Sequence, residues 1–238
     1  REQQYGMTSD YTYNGIYMRA GSKELEQLSE YQYLDVVTVS TVEELVEAIQ
    51  NRRKIILKGG EYNFSELDIS LIQNPNLDVL SYTDQPEYPI RNVWNLCLEA
   101  AEGEKVVIST EASYGKVLAF ECCNDITLRG LTCGHEVEPG FCTGSVIYLL
   151  GATDVMIDNC HLYGSGTYGV EAYNSRNLCV ERTELYDCTY GLVELSNIEE
   201  ASFRNCTFRD SREFSMFSIH DSYDVLLEDC LIFGNHSD

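Results

Sequence analysis

The chain has 238 residues with 39 Asp or Glu against 16 Lys or Arg, so its formal net charge at pH 7 is −23. This length allows one domain with a sizeable core. So negative a charge argues against nucleic acid or an anionic membrane as partner. No apolar run is long enough to span a membrane, and we expect no membrane insertion. No signal-peptide pattern opens the sequence, which does not separate a mature secreted protein from a cytosolic one.

The start of the chain is interpreted as an N-terminal arm and a cap. Residues 1–37 are polar and rich in tyrosine, without a clear period, and form the predicted arm. Residues 38–95 are predicted to contain a capping helix, a first coil and a proline-rich loop between residues 74 and 92. Ser40 or Thr41, followed by Glu43 or Glu44, is a capping box. A helical stripe of apolar residues follows it: Val42, Leu45, Val46 and Ile49.

Residues 96–238 contain a repeat with a period of 23 or 24 residues. Alternating apolar segments, typical of half-buried strands, begin at Val155, Leu178, Ala201 and Val225. One such unit cannot bury its own apolar face, so neighbouring units must stack and share a core. Ile126 extends the series upstream with a gap of 29 residues, which predicts a loop, 134–143, inserted at a corner.

A second strand in the same register and two sets of corner residues complete the repeat. The corners are predicted at Asn, Asp and Gly, which tolerate left-handed backbone, and at one Arg: Gly130, Gly151, Asn159, Asn174, Arg182, Asn205, Asn197, Asp221 and Asp229. Three short strands per turn predict an all-β fold, a right-handed parallel β-helix solenoid with an N-terminal capping helix. Strands are expected near 126–133, 147–149, 155–162, 170–173, 178–185, 193–195, 201–208, 217–219 and 225–232. A leucine-rich horseshoe is disfavoured because its consensus and its helix per repeat are missing.

Particular segments resemble a known superfamily. The strand and turn Ile-Ile-Leu-Lys-Gly-Gly-Glu-Tyr at 55–62, the coil Thr-Tyr-Gly-Val-Glu-Ala-Tyr-Asn at 167–174 and the loop from Gly134-His135 to Cys142 are similar to pectin-lyase-like right-handed β-helix proteins. Within that superfamily, the chain resembles bacterial β-helix repeat proteins without an established activity. The resemblance covers roughly residues 38–238. The acidic motifs of polygalacturonases and the Arg and His elements of pectate lyases are missing, which disfavours a known type of hydrolase or lyase.

The ten cysteines are interpreted as core-filling residues. Cys160, Cys206 and Cys230 share one inward column with Thr183 and should be buried and reduced. Side chains in parallel register on adjacent coils rarely reach the dihedral angle that a disulfide needs. Cys133, Cys142 and His135 offer at most three soft ligands, so no zinc site is predicted.

The outward face of the second strand carries the candidate site. Tyr148, Glu171, Glu194 and Ser218 form one column at about 4.8 Å per coil, and Tyr173, Ser196 and His220 flank it. Stacked carboxylates repel unless one is protonated or a cation lies between them. Glu171 and Glu194 are therefore candidate catalytic residues, and the pair is also compatible with calcium. The alternative is two solvated glutamates on an acidic protein.

Sugar contacts are predicted for the side chains around these glutamates: Tyr148, Tyr173, His220 and His135. We expect a non-catalytic module of a secreted or cell-surface protein that contacts glycan or protein along its flat side. We further expect it to be monomeric, without a cofactor, and followed by more coils or another domain. The alternative function is a carbohydrate-active enzyme, a polysaccharide lyase or glycoside hydrolase, that uses the two glutamates.

Overall fold

The computed structural model of the chain describes residues 10–13, 16–19, 33, 35–138 and 140–236. Most of the predicted arm lies outside the described residues. Within it, β1 (Asp10–Tyr13) pairs in antiparallel register with β2 (Ile16–Arg19). The boundary expected after residue 37 falls inside β3 (Asp35–Val39), a strand of the solenoid.

Three parallel sheets form the walls of a right-handed β-helix. The eight-stranded sheet contains β3, β4 (Arg53–Leu57), β7 (Trp94–Ala100), β10 (Asn124–Arg129), β13 (Thr153–Asp158), β16 (Arg176–Glu181), β19 (Glu199–Arg204) and β22 (Tyr223–Glu228). The seven-stranded sheet contains β5 (Gly60–Asn63), β8 (Val106–Thr110), β11 (Leu131–His135), β14 (His161–Tyr163), β17 (Glu184–Tyr186), β20 (Thr207–Arg209) and β23 (Leu231–Phe233). The six-stranded sheet contains β6 (Ile90–Arg91), β9 (Leu118–Glu121), β12 (Ile147–Leu150), β15 (Val170–Tyr173), β18 (Val193–Ser196) and β21 (Phe217–His220).

The predicted inward column is present and in register. Leu128, Ile157, Val180 and Phe203 pair in sequence across the eight-stranded sheet, and each is buried. Leu227 continues the register but is 39% exposed, because no coil stacks on it in the described structure. Burial of these side chains in a shared core is what holds each short strand in place.

The corners explain why the long predicted segments are each two strands. Asn159 (φ 53°) separates β13 from β14, and Asn174 (φ 49°) separates β15 from β16. Both lie in the left-handed region, which Asn enters at low cost because its short polar side chain bonds locally. Arg182 (φ 48°) takes the same conformation, and its guanidinium pairs with Asp158 at 2.5 Å.

The capping helix α1 (Val42–Ala48) begins as predicted. The Thr41 hydroxyl accepts from the Glu44 backbone N–H at 3.2 Å, and the Glu44 carboxylate accepts from the Ser40 N–H at 2.7 Å. Its apolar stripe is buried against the first coil. Two 3₁₀ segments follow β5 (Phe64–Glu66 and Ile69–Leu71).

The proline-rich segment is more regular than a loop. Leu77 pairs with Ile90 and Leu80 pairs with Glu87 in antiparallel bridges, so this segment forms a hairpin at the end of the six-stranded sheet. We call residues 77–90 the end hairpin. The segment boundary expected at residue 95 falls inside β7.

All ten cysteines lie in the described part of the chain, and all are unpaired. Cys160 and Cys206 are buried in one column with Thr183, as predicted. Cys230 is only half-buried, which corrects the expectation for this residue and has the same cause as the exposure of Leu227. Burial raises the pKa of the Cys160 thiol to about 12.

Candidate functional site

The predicted column of polar residues lies on the outer face of the six-stranded sheet. Tyr148, Glu171, Glu194 and Ser218 pair in register on four successive strands, and each is half-buried. The neighbouring outward column contains Tyr173, Ser196 and His220. We call this surface the glutamate face, defined by Tyr148, Glu171, Tyr173, Glu194, Ser218 and His220.

Tyrosine hydroxyls orient both carboxylates. The Tyr173 hydroxyl donates to Glu171 Oε1 at 2.9 Å, and the Tyr168 hydroxyl interacts with the Glu194 carboxylate. Burial, followed by the bond to Glu194 and its charge, raises the pKa of Tyr168 to about 12. Burial and the nearby Glu171 charge likewise raise the pKa of Tyr173. Each hydroxyl therefore stays protonated at neutral pH and acts as a donor, which fixes the position of its carboxylate.

Three aromatic rings form a row along the edge of this face, in the loops that precede the strands. The Tyr168 and Tyr190 ring centroids are 6.4 Å apart, and those of Tyr190 and Phe214 are 5.1 Å apart. Tyr190 is 41% exposed and Phe214 is 50% exposed. We call Tyr168, Tyr190 and Phe214 the aromatic row. Sequence reasoning missed it, although an aromatic residue directly before Gly115, Gly169 and Gly191 was a visible signal.

Gly191 allows the aromatic row to pack closely. A Cβ placed on Gly191 would lie 3.0 Å from the Tyr168 ring and 2.6 Å from the Ser215 carbonyl oxygen. Any larger residue would push the ring or the backbone away, so this position requires glycine for reasons of close approach.

The end of the glutamate face nearest β9 contains an ion pair whose carboxylate is buried. Glu87 Oε2 accepts from Lys116 Nζ at 3.4 Å and from the Tyr82 hydroxyl at 3.2 Å, while Glu87 Oε1 has no partner. Lys116 Nζ also lies 4.6 Å from the centre of the Tyr148 ring. Desolvation raises the pKa of Glu87 despite the adjacent ammonium group.

His135 does not belong to this surface, so its predicted contact with a ligand is wrong. It is the last residue of β11 and is 3% exposed, and its Nε2 lies 3.4 Å from the Ser145 carbonyl oxygen. Desolvation lowers the pKa of His135 to about 4. The side chain points into the solenoid because alternation along β11 places Leu131, Cys133 and His135 on the same inward side. Tyr148, Tyr173 and His220 do lie on the glutamate face, where His220 Nε2 is 3.0 Å from Ser218 Oγ.

A second group of aromatic residues on the seven-stranded sheet has no free ring face. The rings of Tyr163 and Tyr186 stack at 5.7 Å, and the Arg209 guanidinium lies 4.1 Å from the Tyr186 centroid. A Cβ on Gly134 would lie 2.4 Å from the Tyr163 ring, so that ring covers Gly134. This ladder stabilises the sheet and leaves no platform for a ligand.

The described residues contain no group of three or more His, Cys, Asp or Glu side chains that could hold a metal ion. The calcium ion considered for the stacked glutamates therefore has no further acidic ligand within the described part of the chain. None of the described helices is long and apolar enough to cross a membrane.

Comparisons with known proteins agree with the fold. The family model for the right-handed β-helix region matches residues 145–238. A search of curated proteins found no match. The structure of a putative glycosyl hydrolase from Parabacteroides merdae superposes with a TM-score of 0.52 at 11% identity, over 82% of this chain and 92% of that one. Pectate lyase Pel9A superposes with a TM-score of 0.53 at 13% identity, over 82% of this chain and 55% of that one. The chain therefore has the right-handed parallel β-helix fold of pectin-lyase-like proteins.

Proposed function

We propose that the chain is a non-catalytic module of an extracellular or cell-surface protein, and that it binds a neutral oligosaccharide on the glutamate face. One observation carries the proposal: an exposed aromatic row runs beside a column of carboxylates and hydroxyls in register. Tyr190 and Phe214 are the exposed members of the row, and Glu171 and Glu194 are the neighbouring carboxylates.

The two kinds of group match the two kinds of surface on a sugar. The C–H face of a pyranose packs on an aromatic ring, which offers a flat apolar surface with a negative π face. The hydroxyls at its edge donate to carboxylates such as Glu171 and Glu194, and accept from groups such as the Ser218 and His220 side chains. The tyrosine hydroxyls on Glu171 and Glu194 hold the acceptors in place before the ligand arrives, which reduces the entropy lost on binding.

Charge favours a neutral sugar over an acidic one. Glu121, Glu171 and Glu194 all lie on the outer face of the six-stranded sheet, on a chain whose net charge is −23. Lys116, the cation beside Tyr148, is already paired with Glu87. A polyuronate would therefore be repelled, whereas a chain of neutral sugars meets no such penalty.

Hydrolysis is the second candidate function. Glu171 and Glu194 occupy matching positions on adjacent strands, which are about 4.8 Å apart in a sheet. Retaining glycosidases place two carboxyl groups about 5 Å apart. The chain also superposes on a putative glycosyl hydrolase, but at 11% identity this similarity shows the fold alone. Binding without turnover is favoured because the Tyr173 hydroxyl already donates to Glu171 and the Tyr168 hydroxyl interacts with Glu194.

Binding is tested on an array of neutral and acidic glycans, followed by calorimetry with the best neutral ligand. Loss of one stacked ring costs about 1 kcal/mol, so Tyr190→Ala should weaken binding by roughly fivefold to tenfold. The matched control is Tyr223→Ala, which removes a similarly exposed tyrosine from the eight-stranded sheet. Absence of neutral glycan binding, or equal loss in both variants, would contradict the proposal.

The same glycans decide between the two functions. Incubation with the wild-type chain, followed by product analysis, should show no cleavage if the chain is a binding module. Cleavage that disappears in Glu171→Gln, while binding persists, would establish the enzyme instead.

A further inference from the structure

The glutamate face is closed at one end, and we infer that it recognises the terminal residue of an oligosaccharide and not an internal stretch of a polymer. This inference rests on the proposed function and adds to it which part of the oligosaccharide is bound, namely its terminal residue. The closure is made by the end hairpin, which sequence analysis treated as an irregular loop.

The first sign of closure is the burial of Ala119. It pairs in register with Tyr148 and so continues the outward column formed by Tyr148, Glu171, Glu194 and Ser218. Those four side chains are half-buried, whereas Ala119 is only 1% exposed. A small outward residue on a free sheet face would be accessible, so other groups must cover it.

The end hairpin supplies the covering groups. Its Tyr82 hydroxyl donates to Glu87 Oε2, the oxygen that also pairs with Lys116, and Lys116 Nζ lies 4.6 Å from the Tyr148 ring; these contacts place the hairpin beside the outward Tyr148 of β12. The Tyr82 ring lies 6.2 Å from the Tyr114 ring. Beside it, the buried Glu87 pairs with the partly exposed Lys116, which lies next to Tyr148.

Several contacts fix the hairpin to the solenoid. The Asp84 carboxylate accepts from the Ser113 backbone N–H at 2.6 Å. A Cβ on Gly115 would lie 3.1 Å from Glu87 Cβ, so the hairpin lies directly against the coil. The Lys116–Glu87 pair is largely desolvated, and breaking it would leave an unpaired charge. These contacts hold the end hairpin in place beside the glutamate face.

A closed end changes what the site can accept. Each coil adds about 4.8 Å along the axis, which is similar to the length of one pyranose in an extended chain. Starting at Tyr148, a sugar chain can lie over β12, β15, β18 and β21, with its terminal residue against Tyr82, Glu87 and Lys116. It cannot continue past Ala119. Each sugar chain can therefore bind at only one position along its length, the terminus, however long the chain is.

The test compares chain lengths. Calorimetry or fluorescence anisotropy measures the affinity per chain of linear gluco-, xylo- and manno-oligosaccharides of about four and about eight residues. An open groove spanning four sugars has roughly five frames on the longer chain, so affinity would rise about fivefold. End recognition predicts equal affinity per chain for both lengths. Attaching a bulky label to the terminus that is bound should abolish binding, and labelling the other terminus should not.

Variants of the wall complete the experiment. Tyr82→Ala removes the aromatic ring of the end hairpin and should make affinity rise with chain length, whereas Tyr223→Ala on the eight-stranded sheet should leave the length dependence as in wild type. Should Tyr82→Ala misfold, Asp84→Ala releases the hairpin tip and serves the same purpose. A fivefold length dependence in the wild-type chain overturns end recognition while leaving the proposed function intact. Failure of every oligosaccharide to bind overturns both.

Discussion

Acid should destabilise this fold through His135, a buried residue that sequence analysis placed on the surface. Desolvation lowers its pKa from 6.5 to about 4 in the folded chain. At a pH between these two pKa values, His135 is protonated in the unfolded chain and neutral in the folded chain. Stability contributed by the neutral imidazole is therefore complete above pH 6.5 and is lost as the pH falls toward 4. The pKa difference corresponds to roughly 3 kcal/mol at most.

The measurement is urea unfolding followed by circular dichroism at several pH values, for the wild-type chain and for His135→Gln. Carboxylates also titrate in this range, so the decisive quantity is the difference between the two proteins. His135→Gln should lose up to roughly 3 kcal/mol less than wild type between neutral pH and about pH 4. His161→Gln is the matched control, because His161 is exposed and pairs with Glu184. Identical pH dependence in wild type and His135→Gln would refute the burial of a neutral imidazole.

Other residues give further predictions. Ile157→Asp should unfold the domain, because a charge in the fully buried column costs several kcal/mol, whereas Ile157→Val should cost about 1 kcal/mol; circular dichroism decides. Cys160 should escape thiol reagents until denaturant is added, while the exposed Cys122 reacts at once; early modification of Cys160, identified by mass spectrometry, would argue against its burial. Glu171→Gln should lower the pKa of Tyr173 toward its ordinary value without reaching it, since burial persists. An ultraviolet titration that shows no change in the Tyr173 pKa would contradict the effect of the Glu171 charge.

The solenoid could be predicted from the sequence because every coil has the same physical requirements. Left-handed corners at Asn, Asp or Gly, such as Asn159 and Asn174, and alternation around Ile157 leave a clear period in the chain. The register then follows, including the alignment of Glu171 with Glu194. Those relations depend on spacing alone, and spacing is visible without coordinates.

The features that could not be predicted from the sequence all depend on how irregular segments fold. His135 lies within the segment 134–143 that the sequence predicts to be a loop, but it is the last residue of β11, and alternation along this strand turns its side chain inward. The end hairpin has no period, so its closure over Ala119 could not be anticipated. The ring contacts between Tyr190 and Phe214 depend on loop conformation, although the recurring aromatic residues before glycine could have raised the question.

A crystal structure of the chain with the best-binding neutral oligosaccharide tests the central claim most directly. We expect sugar rings packed on Tyr190 and Phe214, hydroxyls bonded to Glu171 and Glu194, and a terminal residue against Tyr82. Sugar bound on another surface, such as the seven-stranded sheet beside Tyr163 and Tyr186, would contradict it.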